Sequence, residues 1–203
     1  MSSSTLFTLI IIVLSPVRQA RSQQEAAPVF SREPLTAEEI AIYRTFLEHY
    51  DNGSHAPLHL SNRTEALGEP EPSDDSDAPS CIKRLKLVNE KGRAGVVHTL
   101  DPSLAIQGRV ILVNPDQQAA IVKANDPSRT MHEGKSSEDA VDGAFASGLL
   151  TLSEIAFDKR HHVAAMSFSF WCGRLCGHGA VVIFKKIDGR WKISEKTCVE
   201  WVS

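Results

Sequence analysis

The fold is decided by residues 163–193, whose sequence is VAAMSFSFWCGRLCGHGAVVIFKKIDGRWKI. Over the first part of this stretch the character of the side chains changes with a period of two. Every second residue from Ala164 to Phe170 is apolar and shares one face, whereas Ser167 and Ser169 project from the other. This alternation predicts a strand with one buried face and one more polar face.

Asp188-Gly189 separates two further strand-length segments, and an Asp-Gly pair between strands is a strong hairpin signal. Four segments, 151–157, 163–171, 179–187 and 191–202, therefore predict an antiparallel meander. In the last of them Trp191 and Trp201 share one parity, and Cys198 has the other. We expect the two tryptophans to lie on the same face.

Two helices are predicted. Thr36 followed by Glu39 has the spacing of a capping box, and apolar residues recur at three and four positions over about 37–50 before Asp-Asn-Gly at 51–53 ends the helix. A second helical pattern covers 140–149, with Ser136 or Ser137 as its cap. The fold class is therefore α+β, with an antiparallel C-terminal β-meander packed against two or more helices.

The rest of the chain is predicted to join this domain, which spans residues 36–203. Residues 57–60 alternate like a short strand, and short apolar runs occupy 82–88, 95–100 and 108–114. The last run ends at Asn114-Pro115-Asp116, and Ile121-Val122 is interpreted as one more short strand. The acidic, proline-rich segment 68–80 is predicted to be a loop or disordered.

The N-terminus has the pattern of an export signal. An apolar run at 6–14 is followed by Ser15-Pro16 and by small residues at Ala20 and Ser22. The run is too short to span a bilayer, so we expect cleavage after Ser22 and no membrane span in the mature chain. Residues 1–22 are thus a signal peptide, 23–35 a flexible leader, and the protein is predicted to be secreted or periplasmic.

Composition disfavours nucleic acid as a partner. The chain has 22 Lys and Arg against 25 Asp and Glu, a net charge of -3, and so lacks the basic field that drives binding to phosphates. It contains no nucleophile elbow, zinc-protease motif, phosphate loop or dinucleotide fingerprint. No cofactor is predicted, and Glu154 and Asp158 are interpreted as solvated carboxylates rather than a catalytic pair.

Four cysteines in an exported chain suggest disulfides. Cys172 and Cys176 bracket a hairpin tip, where a tight loop can bring their Cα atoms within bonding range. Cys81 and Cys198 remain as a second pair. Two alternatives stay open at this loop: a redox site formed by the two cysteines, and a zinc site in which His178 joins Cys172 and Cys176, with His161 or His162 as a fourth ligand.

The segments 38–53, 149–159, CGRLCGHG at 172–179, DGRWK at 188–192 and the terminal WVS resemble a group of secreted bacterial proteins that have no assigned activity. This resemblance implies an early helix, a C-terminal meander interrupted by a Cys-Gly-x-Leu-Cys-Gly loop, and secretion. It brings no catalytic residue.

The sequence therefore favours a non-enzymatic exported domain that binds a protein or envelope component. The alternative is a thiol-redox or metal-dependent enzyme centred on Cys172, Cys176 and His178. The sequence leaves open which partner is bound and how many copies associate.

Overall fold

The computed structural model describes residues 29–31, 33–67, 82, 85–88, 96–195, 198 and 200–203. Over these residues the helices are α1 (Ala37–His49), α2 (Pro115–Ala124), α3 (Pro127–His132) and α4 (Ser137–Ser147). The strands are β1 (Val29–Phe30), β2 (Leu58–Ser61), β3 (Val96–Val97), β4 (Val110–Val113), β5 (Leu149–Leu152), β6 (Ala156–Phe157), β7 (Val163–Gly173), β8 (Cys176–Ile187), β9 (Arg190–Ile193) and β10 (Glu200–Val202).

Eight of these strands form one sheet, in which the order along the main path is β10-β8-β7-β5-β2-β4. The C-terminal part is antiparallel, as predicted, because β7 pairs with β5 and β8, and β8 with β9. However, β2 lies parallel to both β4 and β5. The α+β class is thus confirmed, but the sheet is mixed rather than purely antiparallel. A separate parallel pair joins β1 and β3.

Helix α1 begins with the predicted capping box. The Thr36 hydroxyl accepts the backbone N–H of Glu39, and the Glu39 carboxylate accepts the backbone N–H of Thr36 at 2.7 Å. The buried face of α1 packs on one side of the sheet, where the ring centroids of Phe46 and Phe168 lie 4.9 Å apart. That side carries the main core, and it is the even-numbered face of β7.

The region between β4 and β5 corrects two expectations. Asn114 is the N-cap of α2, because its side-chain oxygen accepts the N–H groups of Asp116 and Gln117. Residues 121–122 therefore belong to a helix and not to a strand. The predicted second helix is present as α4, is capped by Ser136, and ends two residues before β5 begins.

Two of the predicted strands are broken. β5 and β6 lie one after the other along one edge of β7, with residues 153–155 between them. β9 and β10 follow each other in the same way along one edge of β8. As a result Trp191 packs into the main core, whereas Trp201 faces the opposite side of the sheet. The expectation that the two tryptophans share a face is wrong, because the break changes the parity of the chain.

Several predictions lie outside the described residues: the signal peptide 1–22, most of the leader, the acidic segment 68–80 and Cys81. Within the described part of the chain, no helix has both the length and the apolar character needed to cross a bilayer.

Candidate functional site

A groove crosses the face of the sheet opposite α1. Thr151 on β5 pairs with Ser169 on β7, Ser169 pairs with Gly179 on β8, and Gly179 pairs with Trp201 on β10. Residues directly opposite each other on paired strands project to the same face. These four residues therefore form one line across the sheet, and Glu65 adds a carboxylate beyond the Thr151 end.

The groove holds a cavity of about 280 Å³. Its walls combine one carboxylate, four hydroxyl side chains, one indole and a few apolar residues. We call it the cross-strand groove, lined by Glu65, Ala66, Thr151, Ser153, Ser167, Ser169, Val181 and Trp201, and by the strand positions Phe168 and Ala180, whose side chains face the α1 side.

The indole of Trp201 occupies the space that a side chain on β8 would take. A Cβ atom on Gly179 would lie 2.5 Å from Nε1 of Trp201 and 2.5 Å from the carbonyl oxygen of Phe168. Glycine is therefore required here so that the indole can reach across β8 towards β7. The ring lies along the sheet and offers a flat apolar surface at one end of the groove.

The middle of the groove is lined by hydroxyl groups. The Oγ1 atom of Thr151 lies 2.6 Å from Oγ of Ser169. Deeper in the wall, Oγ of Ser153 accepts the backbone N–H of Ser167 at 2.8 Å and donates to the carbonyl oxygen of Glu154 at 2.8 Å. The strand pairing and these bonds fix the hydroxyls before any ligand arrives.

Glu65 provides the charge at the other end. Its backbone N–H donates to Leu152 and its carbonyl oxygen accepts from Glu154, so the main chain on both sides of the residue is held in place. Partial burial raises the pKa of its carboxyl group, while the nearby Thr151 hydroxyl and the charge of Arg63 act in the opposite direction. The residue as a whole is exposed, so the carboxylate can accept hydrogen bonds from a ligand that arrives from solvent.

A buried polar network lies behind this wall. Glu154, only 1% exposed, accepts hydrogen bonds from the hydroxyl of Thr64 and, at 3.0 Å, from the backbone N–H of His98. Nδ1 of His98 lies 3.0 Å from each carboxylate oxygen, so this nitrogen carries the hydrogen. Glu154 is therefore not a solvated carboxylate as the sequence indicated, because the break between β5 and β6 turns it inward.

The same network reaches the main core through Tyr43. Its hydroxyl donates to the carbonyl oxygen of Ser153 at 2.9 Å, next to Glu154. Burial, together with the nearby charges of Glu154 and Glu39, raises the pKa of Tyr43 well above its ordinary range. The residues behind the groove are thus locked by a phenol, an imidazole and a carboxylate, none of which reaches solvent.

The cysteine loop lies at the β7–β8 hairpin tip. Cys172 and Cys176 are at disulfide distance, with their Cα atoms 5.0 Å apart. Oδ2 of Asp126 accepts the backbone N–H of Arg174 at 2.7 Å, while Oδ1 caps the first turn of α3. The Asp126 side chain therefore connects the β7–β8 hairpin tip to the N-terminus of α3.

The histidines considered as metal ligands, His178 and His161, contact other residues instead. Nε2 of His178 lies 3.1 Å from the hydroxyl of Tyr50, and burial lowers the pKa of this histidine. His161 instead binds Glu38, with Nδ1 to Oε2 at 2.7 Å. No group of three or more His, Cys, Asp or Glu residues within the described ranges is placed to hold a metal ion.

The second predicted disulfide is described at one end only. Cys198 packs against the smaller core cluster on the groove side of the sheet, and its sulfur is not a free thiol. Its expected partner, Cys81, lies outside the described residues, so this pairing stays a prediction.

Sequence reasoning missed Glu65 and His98 and placed Trp201 on the wrong face. The serines at 167 and 169 were a usable signal, since two hydroxyls on the second face of a long, otherwise apolar strand suggest that this face is partly open. His98 follows the apolar pair Val96-Val97, which is a weak sign of burial. No such signal marks Glu65, because its position depends on a bridge between distant segments.

A comparison of the chain with family models, with curated proteins and with solved structures gives no match.

Proposed function

We propose that this chain is a non-enzymatic binding domain of an exported bacterial envelope or extracellular protein, and that its ligand lies in the cross-strand groove. The observation that carries the proposal is the line of Thr151, Ser169, Gly179 and Trp201 across four paired strands. A binding surface built on rigid strands loses little conformational entropy when a ligand arrives.

The chemistry of the groove favours binding over catalysis. Glu65 is the one carboxylate among its described lining residues. Glu154, although near in the chain, is buried and uses its oxygens for Thr64 and His98. In most families of glycoside hydrolases, for example, two carboxyl groups flank the scissile bond. The groove instead combines a flat ring, hydroxyls and one acceptor, which orient a ligand without a second acid or base.

The test is a thermal-unfolding screen with representatives of four chemical classes: neutral sugars, amines, carboxylates and phosphates. A ligand at about ten times its Kd adds about 1.4 kcal/mol to the free energy of unfolding. That raises the Tm of a chain of this size by about 3–6 °C. We expect one class to produce this shift in the native protein and to be recovered unchanged by mass spectrometry.

Trp201→Ala should abolish the shift in Tm. The matched control is Val202→Thr, which should keep the shift, because Val202 follows Trp201 in the chain, does not line the groove and is 85% exposed. Chemical conversion of the ligand would favour an enzyme instead. A screen in which no class stabilises the native protein, or in which Trp201→Ala responds as the native protein does, would overturn the proposal.

A further inference from the structure

The two ends of the cross-strand groove differ in chemistry and lie far apart. Trp201 and Thr151 are separated by three strand spacings, which is about 14 Å. The indole already covers the first spacing, because it lies over Gly179. About two spacings, or about 10 Å, remain between the indole and Thr151, with Glu65 beyond. A ligand that touches both ends must therefore be elongated.

We infer that the cross-strand groove binds a neutral saccharide, with one sugar ring on the indole of Trp201 and the hydroxyls of the next ring on Ser169 and Glu65. This inference rests on the proposed binding function and names its ligand class. The sugar would be the size of a disaccharide, lying across the strands with its outer side in solvent.

The hydroxyls in the groove keep lone pairs for a ligand. Oγ1 of Thr151 and Oγ of Ser169 lie 2.6 Å apart, so one hydroxyl donates to the other and both oxygens can still accept. The free lone pairs of the Ser169 oxygen and of the carboxylate then accept hydrogen bonds from a ligand. A row of acceptors matches a ligand rich in O–H groups.

The indole supplies the complementary feature. The C–H face of a pyranose ring is apolar, and a tryptophan ring offers a flat apolar surface with a polar N–H at its edge. Within the described residues, Nε1 of Trp201 makes no hydrogen bond to the protein, and it lies over Gly179 at the floor of the groove. A sugar hydroxyl beside the stacked ring can accept this donor.

Two other ligand classes fit less well. An anion would meet the Glu65 carboxylate in a groove whose other described polar lining residues are neutral. A small cation binds best within about 6 Å of an aromatic centroid. From such a position over Trp201 it is too far from Glu65 to be paired with it, given the strand spacings between them. An elongated neutral ligand uses both ends at once.

The experiment is a titration of the ¹⁵N-labelled protein, observed through the indole N–H of Trp201 and the backbone amides of Thr151 and Ser169. The indole signal is assigned by its loss in Trp201→Phe. The probes are cellobiose, maltose and N,N′-diacetylchitobiose, with glucose as the shorter sugar and tetramethylammonium and citrate as the charged probes.

We expect at least one disaccharide to move all three signals saturably at millimolar concentration, and glucose to bind more weakly. Trp201→Ala should weaken binding at least tenfold, as measured at the Thr151 and Ser169 amides. Glu65→Gln should weaken it less, and the exposed control Glu48→Gln on α1 should leave it unchanged. Trp201→Phe should retain part of the affinity, which separates loss of the ring from loss of the fold.

Shifts caused only by tetramethylammonium or citrate would overturn the saccharide inference and leave the binding function standing. If no probe of any class moved the groove signals, both proposals would fail. A disaccharide that bound Trp201→Ala as tightly as the native protein would place the sugar elsewhere and would also refute the inference.

Discussion

Replacement of Glu154 by alanine should be one of the most damaging single substitutions in the described part of the domain. It removes the acceptor for the hydroxyl of Thr64, for the backbone N–H of His98 and for Nδ1 of the same histidine. The side chains of His98 and Glu154 are 1% and 2% exposed, so water cannot replace the lost partner. Breaking a buried pair in this way destabilises proteins by about 3–5 kcal/mol.

Urea unfolding at neutral pH measures the effect. With a slope of about 2 kcal/mol/M, a loss of about 4 kcal/mol lowers the unfolding midpoint by about 2 M. The matched control is Glu48→Ala on the exposed face of α1, which should change the free energy of unfolding by less than about 0.5 kcal/mol.

A double-mutant cycle of Glu154 and His98 then separates the interaction energy of the pair from the packing energy lost when each side chain is replaced. Nε2 of His98 has no partner within the described residues, so the hydrogen bonds described for this imidazole are those to Glu154. Replacing both residues by leucine should therefore cost less than the sum of the two single leucine replacements, by about 0.5–3 kcal/mol. A loss below about 1 kcal/mol in Glu154→Ala, or strict additivity in the cycle, would refute the view that this network holds the wall of the groove.

Three further predictions concern other groups. Burial raises the pKa of Glu65, so the free energy of unfolding of the native protein should fall as pH rises through that pKa. Glu65→Gln should remove this fall, and in urea unfolding at pH 7 it should be more stable than the native protein. A less stable Glu65→Gln variant would contradict the argument. Replacing Cys172 and Cys176 by serine should lower the free energy of unfolding by about 2 kcal/mol and leave the circular dichroism spectrum unchanged. In the oxidised native protein, thiol titration should find neither cysteine reactive. Free thiols, together with one zinc per chain by elemental analysis, would favour the metal alternative. Asp126→Ala should cost about 1–2 kcal/mol at pH 7. Hydrogen bonds from Arg174 and the first turn of α3 lower the pKa of Asp126, so this cost should shrink as pH falls through that pKa, whereas the exposed Asp142→Ala should show neither effect.

The sequence predicted the elements whose signals are local. The capping box of α1, the alternation in β7 and the Asp-Gly turn after β8 each depend on residues a few positions apart, and all three are present. The loop of Cys172 and Cys176 belongs to the same class, since its geometry follows from the hairpin that carries it.

The errors arose where one local pattern is compatible with two structures. Asn114-Pro115-Asp116 reads as a turn that ends a strand, but an Asn cap followed by proline at the first helical position also starts a helix, and here it starts α2. Strand parity failed at residues 153–155 and between β9 and β10, because a break in pairing resets which side chains face the core. Glu154 and Trp201 were misplaced for that reason.

The position of β2 imposes an order on folding. This strand lies between β4 and β5, which follow it by roughly 50 and 90 residues, so its pairing must close long loops before it gains contacts. The β7–β8 hairpin needs only the two residues Arg174 and Leu175 to turn and can form early. During synthesis from the N-terminus, β2 therefore cannot be paired on both sides until β5 has been made, roughly 90 residues after β2 itself.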